Sequence, residues 1–267
     1  MDNNSPILIK EKSDKGVLCL TMNDLACKNA LSNKMLSILL DEIKNASIDK
    51  SIKVIVLKAN GDVFSAGHDL KELKEARNNS DEGKVFFQEL FNLCSSLMQL
   101  IINVPQPVIA EIDGVATAAG CQLVASCDLA ISSQESKFAT PGVNIGLFCS
   151  TPMVALSRNI GKKNAMQMLL TGDLISAQKA KEIGLINDVV SKNKLGSTVR
   201  ELSEKIASKS SMTLETGKKA FYAQAEMSLT EAYKYTSKVM TENLIQHDAK
   251  EGIDAFIEKR SPNWKGE

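Results

Sequence analysis

The stretch that most constrains this chain is Pro107–Asp128, PVIAEIDGVATAAGCQLVASCD. It opens with an apolar, β-branched run, Val108–Ile112, that reads as a strand. A turn of small residues follows, Gly114-Val115-Ala116-Thr117-Ala118-Ala119-Gly120, and then a helix-compatible segment, Cys121–Ser126. A chain that passes tightly from strand to helix leaves the first N–H groups of the helix unpaired, at the end where the helix dipole is positive. Small side chains at 118–120 let another molecule approach those groups closely. The geometry suits an anion or a polarised carbonyl oxygen. A strand that runs straight into a helix fits an α/β organisation.

The surrounding pattern agrees. Short strands are predicted at Ile7–Lys10 and Val17–Met22, joined by a Ser-Asp-Lys-Gly turn. Ser32 is placed to cap a helix from Asn33 to about Ala46. The nearly continuous apolar run Ile52–Lys58 suits a strand buried on both faces. A short strand follows, and another helix starts near Asp69. Asn78–Gly83 is the most polar connection and the best candidate for a mobile loop. Apolar residues from Lys84 to Ile102 then recur at helical spacing. After Asp128–Ser132, again strand-like, Pro152 opens a helix that Gly161 interrupts, and Val189-Val190 forms a last strand. Everything beyond about residue 190 is helical by pattern, in segments 195–207, 212–225 and 229–246. The organisation expected is an α/β core over 1–195 and a helical region over 196–267 that packs on itself or on a partner.

Composition excludes several classes. The 267 residues carry 32 basic and 32 acidic side chains. A chain without net charge is not built to bind nucleic acid or a membrane surface. No apolar run is read as approaching the ~20 residues needed to span a bilayer. The N-terminal MDNNSPILIKEKSDKG has no apolar signal region and no arginine, so the expected location is cytoplasmic. Six cysteines without a CxxC pair, and two histidines, make a metal site unexpected, and the thiols read as free and mostly buried.

Several segments together resemble the crotonase (enoyl-CoA hydratase/isomerase) superfamily over nearly the whole chain. They are Lys28-Asn29-Ala30-Leu31-Ser32, Phe64–Leu70, Pro107-Val108-Ile109-Ala110 through Cys127-Asp128, Leu170–Asp173, Ser176–Ala180, Gly184-Leu185-Ile186 and Phe256–Arg260. Any one is weak; their order and spacing are specific. The resemblance implies a spiral of ββα turns with a C-terminal helical trimerisation region, assembling as a trimer or dimer of trimers. It implies an acyl-CoA thioester as ligand, with coenzyme A as part of the substrate and no tightly bound cofactor. The backbone N–H groups of His68 and Ala119 would polarise the thioester carbonyl and stabilise enolate charge. Ser65, Ala66, Asp69 and Leu70 would lie against the CoA adenine, with Ala30 on the same surface. Lys28 and Lys71 would sit near the phosphates, and Lys259 would reach CoA from its own or a neighbouring subunit.

Hydratases of this family use two glutamates as proton carriers. At the matching positions this chain has Gln122 and Gly142. An amide is no general base near neutral pH and glycine offers no group at all, so two-glutamate hydration is not expected. Restoring both acids together, with Gln122→Glu and Gly142→Glu, is expected to raise hydration. Ser150 falls where some relatives carry a catalytic aspartate, beside Cys149. With His68 nearby, a Cys or Ser acyl-transfer site is the lesser reading; the greater is a pocket-lining thiol and a helix cap. Glu111 and Asp113 point to one side of their strand, and Asp128 is expected to satisfy backbone or neighbouring polar groups. Two functions remain open: a divergent acyl-CoA isomerase, lyase or hydrolase, and a non-catalytic acyl-CoA binder or modulator.

Overall fold

The computed structural model describes residues 5–267. Residues 1–4, which begin both the N-terminal stretch and the 1–195 unit, lie outside the described residues. The chain enters as a hairpin in which β1 (Leu8–Lys12) pairs antiparallel with β2 (Val17–Met22). Ser32 then caps α1 (Asn33–Ile48), its Oγ accepting from the Met35 N–H at 3.1 Å, as the sequence predicts.

From here each strand pair splits between two sheets. β3 (Val54–Ala59) lies parallel to β2 in a six-stranded sheet, while β4 (Val63–Ser65) enters a four-stranded one. Helices α2 (Leu70–Ala76) and α3 (Lys84–Asn103) return the chain. The step repeats with β5 (Val108–Ile112) beside β3, β6 (Val115–Thr117) beside β4, and α4 (Ala119–Ser126). It repeats again with β7 (Leu129–Ser133) beside β5 and β8 (Lys137–Ala139) beside β6. Helices α5 (Pro152–Asn159) and α6 (Lys162–Thr171) follow. β9 (Ile175–Ser176), α7 (Ala177–Glu182) and β10 (Asp188–Val190) close the two sheets. This is the predicted spiral of ββα turns.

Alternation along β3 explains why the run 52–58 is apolar throughout. Ile55 and Leu57 join the main core with α1 and α3, whereas Val54 and Val56 join a second cluster on the other face. That second face is covered by α8 (Lys192–Ala207), which packs on β2, β3, β5 and β7. The 195/196 division therefore falls inside a helix that belongs with the sheet; the change of packing comes after Ala207. Beyond it, α9 (Ser211–Gln224), α10 (Leu229–Leu244) and α11 (His247–Ile257) pack mainly on one another.

Helix α3 corrects one sequence expectation. At 20 residues it is long and apolar enough to cross a membrane by length and composition. Here Leu90, Cys94, Leu97, Met98 and Ile101 instead bury their stripe in the main core, against α1 and α4. Polar Gln88, Asn92 and Gln99 on the outer face had masked that apolar content. The polar connection 78–83 forms turns, with the Asp81 carboxylate accepting from the Gly83 and Val85 N–H groups.

Candidate functional site

The turn before α4 is where the two sheets, α4 and the loop after β4 meet. Gly67 takes φ +88°, and a Cβ built on it would lie 2.9 Å from the Ala118 Cβ and 3.2 Å from the Ala119 nitrogen. The two segments that carry the predicted carbonyl donors are thus in direct contact. Gly120 is fixed for a second reason: an added Cβ would sit 2.4 Å from the Ser65 carbonyl oxygen. The helix start is pressed onto β4 as closely as a backbone can go.

A lattice of hydrogen bonds holds this junction. Leu31 N–H donates to Gly67 O (2.7 Å), Ala66 N–H to Lys28 O (3.2 Å) and Ala118 N–H to Ala139 O (2.9 Å). Thr117 Oγ1 donates to Ala66 O at 3.2 Å, and Gly67 N–H to Ser65 Oγ at 3.3 Å. The His68 and Ala119 N–H groups find no acceptor among the described residues. Ala118, which precedes the second of them, has φ 50° and ψ −119°. That conformation costs a non-glycine residue about 1–3 kcal/mol and persists only where its surroundings impose it.

The side chains around this pair are unequally provided for. His68 Nδ1 lies 3.1 Å from the Leu31 carbonyl oxygen, and the ring meets Phe91 edge-on at 5.4 Å. Burial holds its pKa below the usual histidine range. Four buried side-chain polar atoms lack a partner among the described residues, and three of them are His68 Nε2, Gln122 Oε1 and Thr140 Oγ1. Gln122 sits one turn into α4, and Thr140 follows Ala139, whose oxygen holds Ala118. All three residues therefore adjoin the Ala118–Ala119 turn. Buried polar atoms are nearly always paired, so this clustering marks a place shaped for something the folded chain does not itself supply. Thr140 was not singled out from the sequence; its only signal is a lone hydroxyl at the end of an apolar strand.

The other predicted residues divide clearly. Ala30 and Ser65 are buried and shape the two loops, whereas Lys28, Ala66, Leu70 and Lys71 are exposed. Asp69 caps α2, accepting from the Lys71 N–H at 2.8 Å. Asp24, Asp69 and Lys71 all act on the Cys27 thiol, so the 24–28 loop faces the start of α2. Asn29, which sequence reasoning quoted without a role, pins that loop: Nδ2 donates to Asn60 O (2.9 Å) and Val63 O (2.7 Å), while Oδ1 accepts from the Asp24 N–H (2.8 Å). Lys259 is exposed just past α11 with φ 56°, and no hydrogen bond or ion pair joins it to these loops.

The segment around Gly142, which matches the family's second glutamate position, is closed. A Cβ on Gly142 would lie 2.5 Å from the Leu147 carbonyl oxygen and 2.8 Å from Cys149 Sγ. Burial pushes the Cys149 thiol up, away from thiolate. Ser150 is exposed and its Oγ turns to the Phe148 carbonyl at 3.3 Å. Glu111 and Asp113 do share one side, and it is the α8 side: Asp113 pairs with Lys192 at 2.8 Å, and Glu111 borders a cavity of about 380 Å³ with Lys58 and Cys19. Asp128 behaves as expected, accepting from Val108 N–H (2.7 Å), buried Lys218 (2.7 Å) and Tyr222 (2.9 Å). It locks β5, the end of α4 and α9 together.

Comparison with known proteins gives the family and the fold. A family described as enoyl-CoA hydratase/isomerase matches residues 12–267. A Xenopus laevis protein named enoyl-CoA hydratase domain-containing protein 3, mitochondrial, is 46% identical over 261 residues, covering 98% of this chain and 87% of that one. The crystal structure of human enoyl coenzyme A hydratase domain-containing protein 3 superposes with a TM-score of 0.92 at 45% identity, over 97% of this chain and 100% of that one. An enoyl-CoA hydratase structure from Mycobacterium smegmatis gives 0.92 at 42%, over 97% and 99%. The fold is thus the crotonase-like one that the resemblance implied. The frog protein and its mouse, rat, human and zebrafish counterparts are all named mitochondrial, which overturns the cytoplasmic expectation. That expectation rested on the composition of the N-terminal stretch alone.

Proposed function

The chain belongs to the enoyl-CoA hydratase/isomerase family, and from that premise we propose that it binds acyl-CoA thioesters with the carbonyl oxygen between the His68 and Ala119 N–H groups. The observation that carries this reading is the pair of unpaired donors brought together by the contact of Gly67 with Ala118 and Ala119. Two preorganised N–H groups suit an oxygen on which charge grows, as it does when a thioester becomes an enolate. The CoA portion runs over the exposed surface of Ala66, Leu70, Lys28 and Lys71. Gln122 and Gly142 leave the site without its two glutamates, so enolate stabilisation outlasts hydration. The chain assembles with copies of itself through the exposed apolar side chains of its last three helices, among them Phe221, Tyr233, Met240, Leu244 and Phe256. The mitochondrial names of its relatives give the proposed compartment.

Calorimetric titration with butyryl-CoA tests the binding directly. Heat of binding is expected, with affinity about threefold weaker in Lys71→Ala, the effect of one exposed charge pair. No heat at high ligand concentration counts against the site. In the same preparation crotonyl-CoA keeps its enoyl absorbance. Rapid loss of that absorbance in the wild-type protein would overturn the account of the missing acids.

A further inference from the structure

We propose that the His68 imidazole is the proton acceptor of this site, taking the α-proton of a bound acyl-CoA thioester on Nε2. The inference rests on the acyl-CoA reading above and adds a reaction to it. A carbonyl oxygen can only accept, so the 3.1 Å contact with Leu31 O puts the ring proton on Nδ1. Nε2 is then an unprotonated nitrogen, and it is enclosed without any partner. The Leu31 carbonyl and the edge contact with Phe91 fix the ring plane, so the lone pair has one direction. No charged side chain among the described residues acts on the ring, and burial lowers its pKa, which favours the neutral form that accepts a proton.

Covalent geometry places this base. The residue whose N–H holds the thioester oxygen is the residue that carries the imidazole. The α-carbon, one bond beyond the carbonyl carbon, would then bind beside the His68 side chain, and base contacts of this kind tighten when substrate is bound. The competitors fall away one by one. Cys121 is fully buried with its thiol pushed up to about 12, and burial raises Cys149 as well. Ser150 faces the Phe148 carbonyl in solvent. Glu111 lies across the sheet on the α8 side, and Asp128 is committed to Lys218 and Tyr222.

The step balances without any co-reactant. The α-C–H bond breaks and an N–H bond forms on Nε2, giving imidazolium. The C–H electron pair moves into the new C–C double bond, and the carbonyl π pair moves to oxygen, where the His68 and Ala119 N–H groups receive it. Return of a proton from the ring regenerates the thioester. In heavy water the ring proton is replaced by solvent deuterium, so the α-carbon becomes labelled with no net reaction.

The test follows α-deuteration of butyryl-CoA and octanoyl-CoA by mass spectrometry in D2O, with binding measured separately by calorimetry. Wild-type protein is expected to label the thioester. His68→Asn, whose amide still donates to Leu31, is compared at a thioester concentration that saturates it by calorimetry and is expected to label at least about 100-fold more slowly, the lower end of what a positioned base contributes. Undiminished labelling by the asparagine variant overturns the proposal. Wild-type binding without labelling overturns it too, while leaving the acyl-CoA reading in place. Absence of binding refutes that reading and the proton transfer with it. Should the variant fail to fold, nitrogen-15 NMR of the wild type decides. With only two histidines in the chain, the His68 ring is assigned readily and is expected to carry its proton on Nδ1; a protonated Nε2 at neutral pH overturns the proposal.

Discussion

The backbone segments 65–68 and 118–120, which carry the proposed carbonyl donors, and the two positions that match the family's glutamates, Gln122 and Gly142, differ in kind. On the first side the proposed grip on the carbonyl oxygen belongs to peptide N–H groups. Alanine at 118 and 119 changes nothing about the hydrogen atoms offered, provided the backbone can still take its path, and it does so even with Ala118 at φ 50°. On the second side the chemistry would have belonged to side chains, and the chain has Gly142, a buried thiol and an exposed serine there. Backbone function is protected by the packing that fixes the fold, whereas side-chain function can be lost one substitution at a time.

The sharpest way to break that contrast is to attack the donor side through its packing. In Gly120→Ala the new methyl meets the Ser65 carbonyl at 2.4 Å, and backbone, not a flexible side chain, has to move. Overpacking of this kind is expected to lower stability by about 3 kcal/mol in denaturant unfolding, and to abolish the butyryl-CoA titration. If the variant unfolds within about 1 kcal/mol of wild type, the tight junction is not what holds the donors in place.

The acid side offers a test of the opposite sign. Gln122→Glu puts a carboxylate one turn above the donor pair, in a buried position where its pKa rises toward that of a working base. It is expected to raise crotonyl-CoA hydration by about 10²-fold, the lower end of one acid–base group's contribution. The second glutamate does not add to it, contrary to the sequence expectation. In Gly142→Glu the first carbon of the side chain already collides with Leu147 O and Cys149 Sγ. A double variant that outpaces Gln122→Glu by tenfold would show that this loop yields readily, and the contrast between a rigid donor side and a closed acid side would fail.

Much of this was legible in the residues because the informative signals are local. Strand Val17–Met22, strand Val108–Ile112 and the Ser32 cap come out as read, since each depends on neighbours within a few positions. The two-residue β9 and three-residue β6 were missed, being too short to show a period and held only by the strands beside them. Helix α4 starts two residues earlier than read, because Ala119 and Gly120 are helical only where β4 presses on them. The two donors were assigned by resemblance alone, and the state of the His68 ring was not readable. Its tautomer depends on the Leu31 carbonyl, 37 residues away in sequence. The Lys218–Asp128 pair spans 90 residues and leaves no local trace at either end.

The gentlest test concerns Ala118 itself, where strain and packing oppose each other. Relief of its backbone conformation by Ala118→Gly is worth about 1–3 kcal/mol. Against that stand the added freedom of glycine in the unfolded chain, about 0.5–1 kcal/mol, and the loss of a half-buried methyl, at most about 0.8 kcal/mol. That methyl rests on the Gly67 turn, so it also helps to set the distance between the two donor segments. The terms leave a small gain, about 0.5 kcal/mol in denaturant unfolding, with butyryl-CoA affinity unchanged if peptide N–H groups alone bind the oxygen. A stability loss above about 1 kcal/mol would mean that the methyl contact outweighs the strain. Weaker binding at unchanged stability would be the more damaging outcome, because it would make a side chain, and not the backbone, responsible for the donor side.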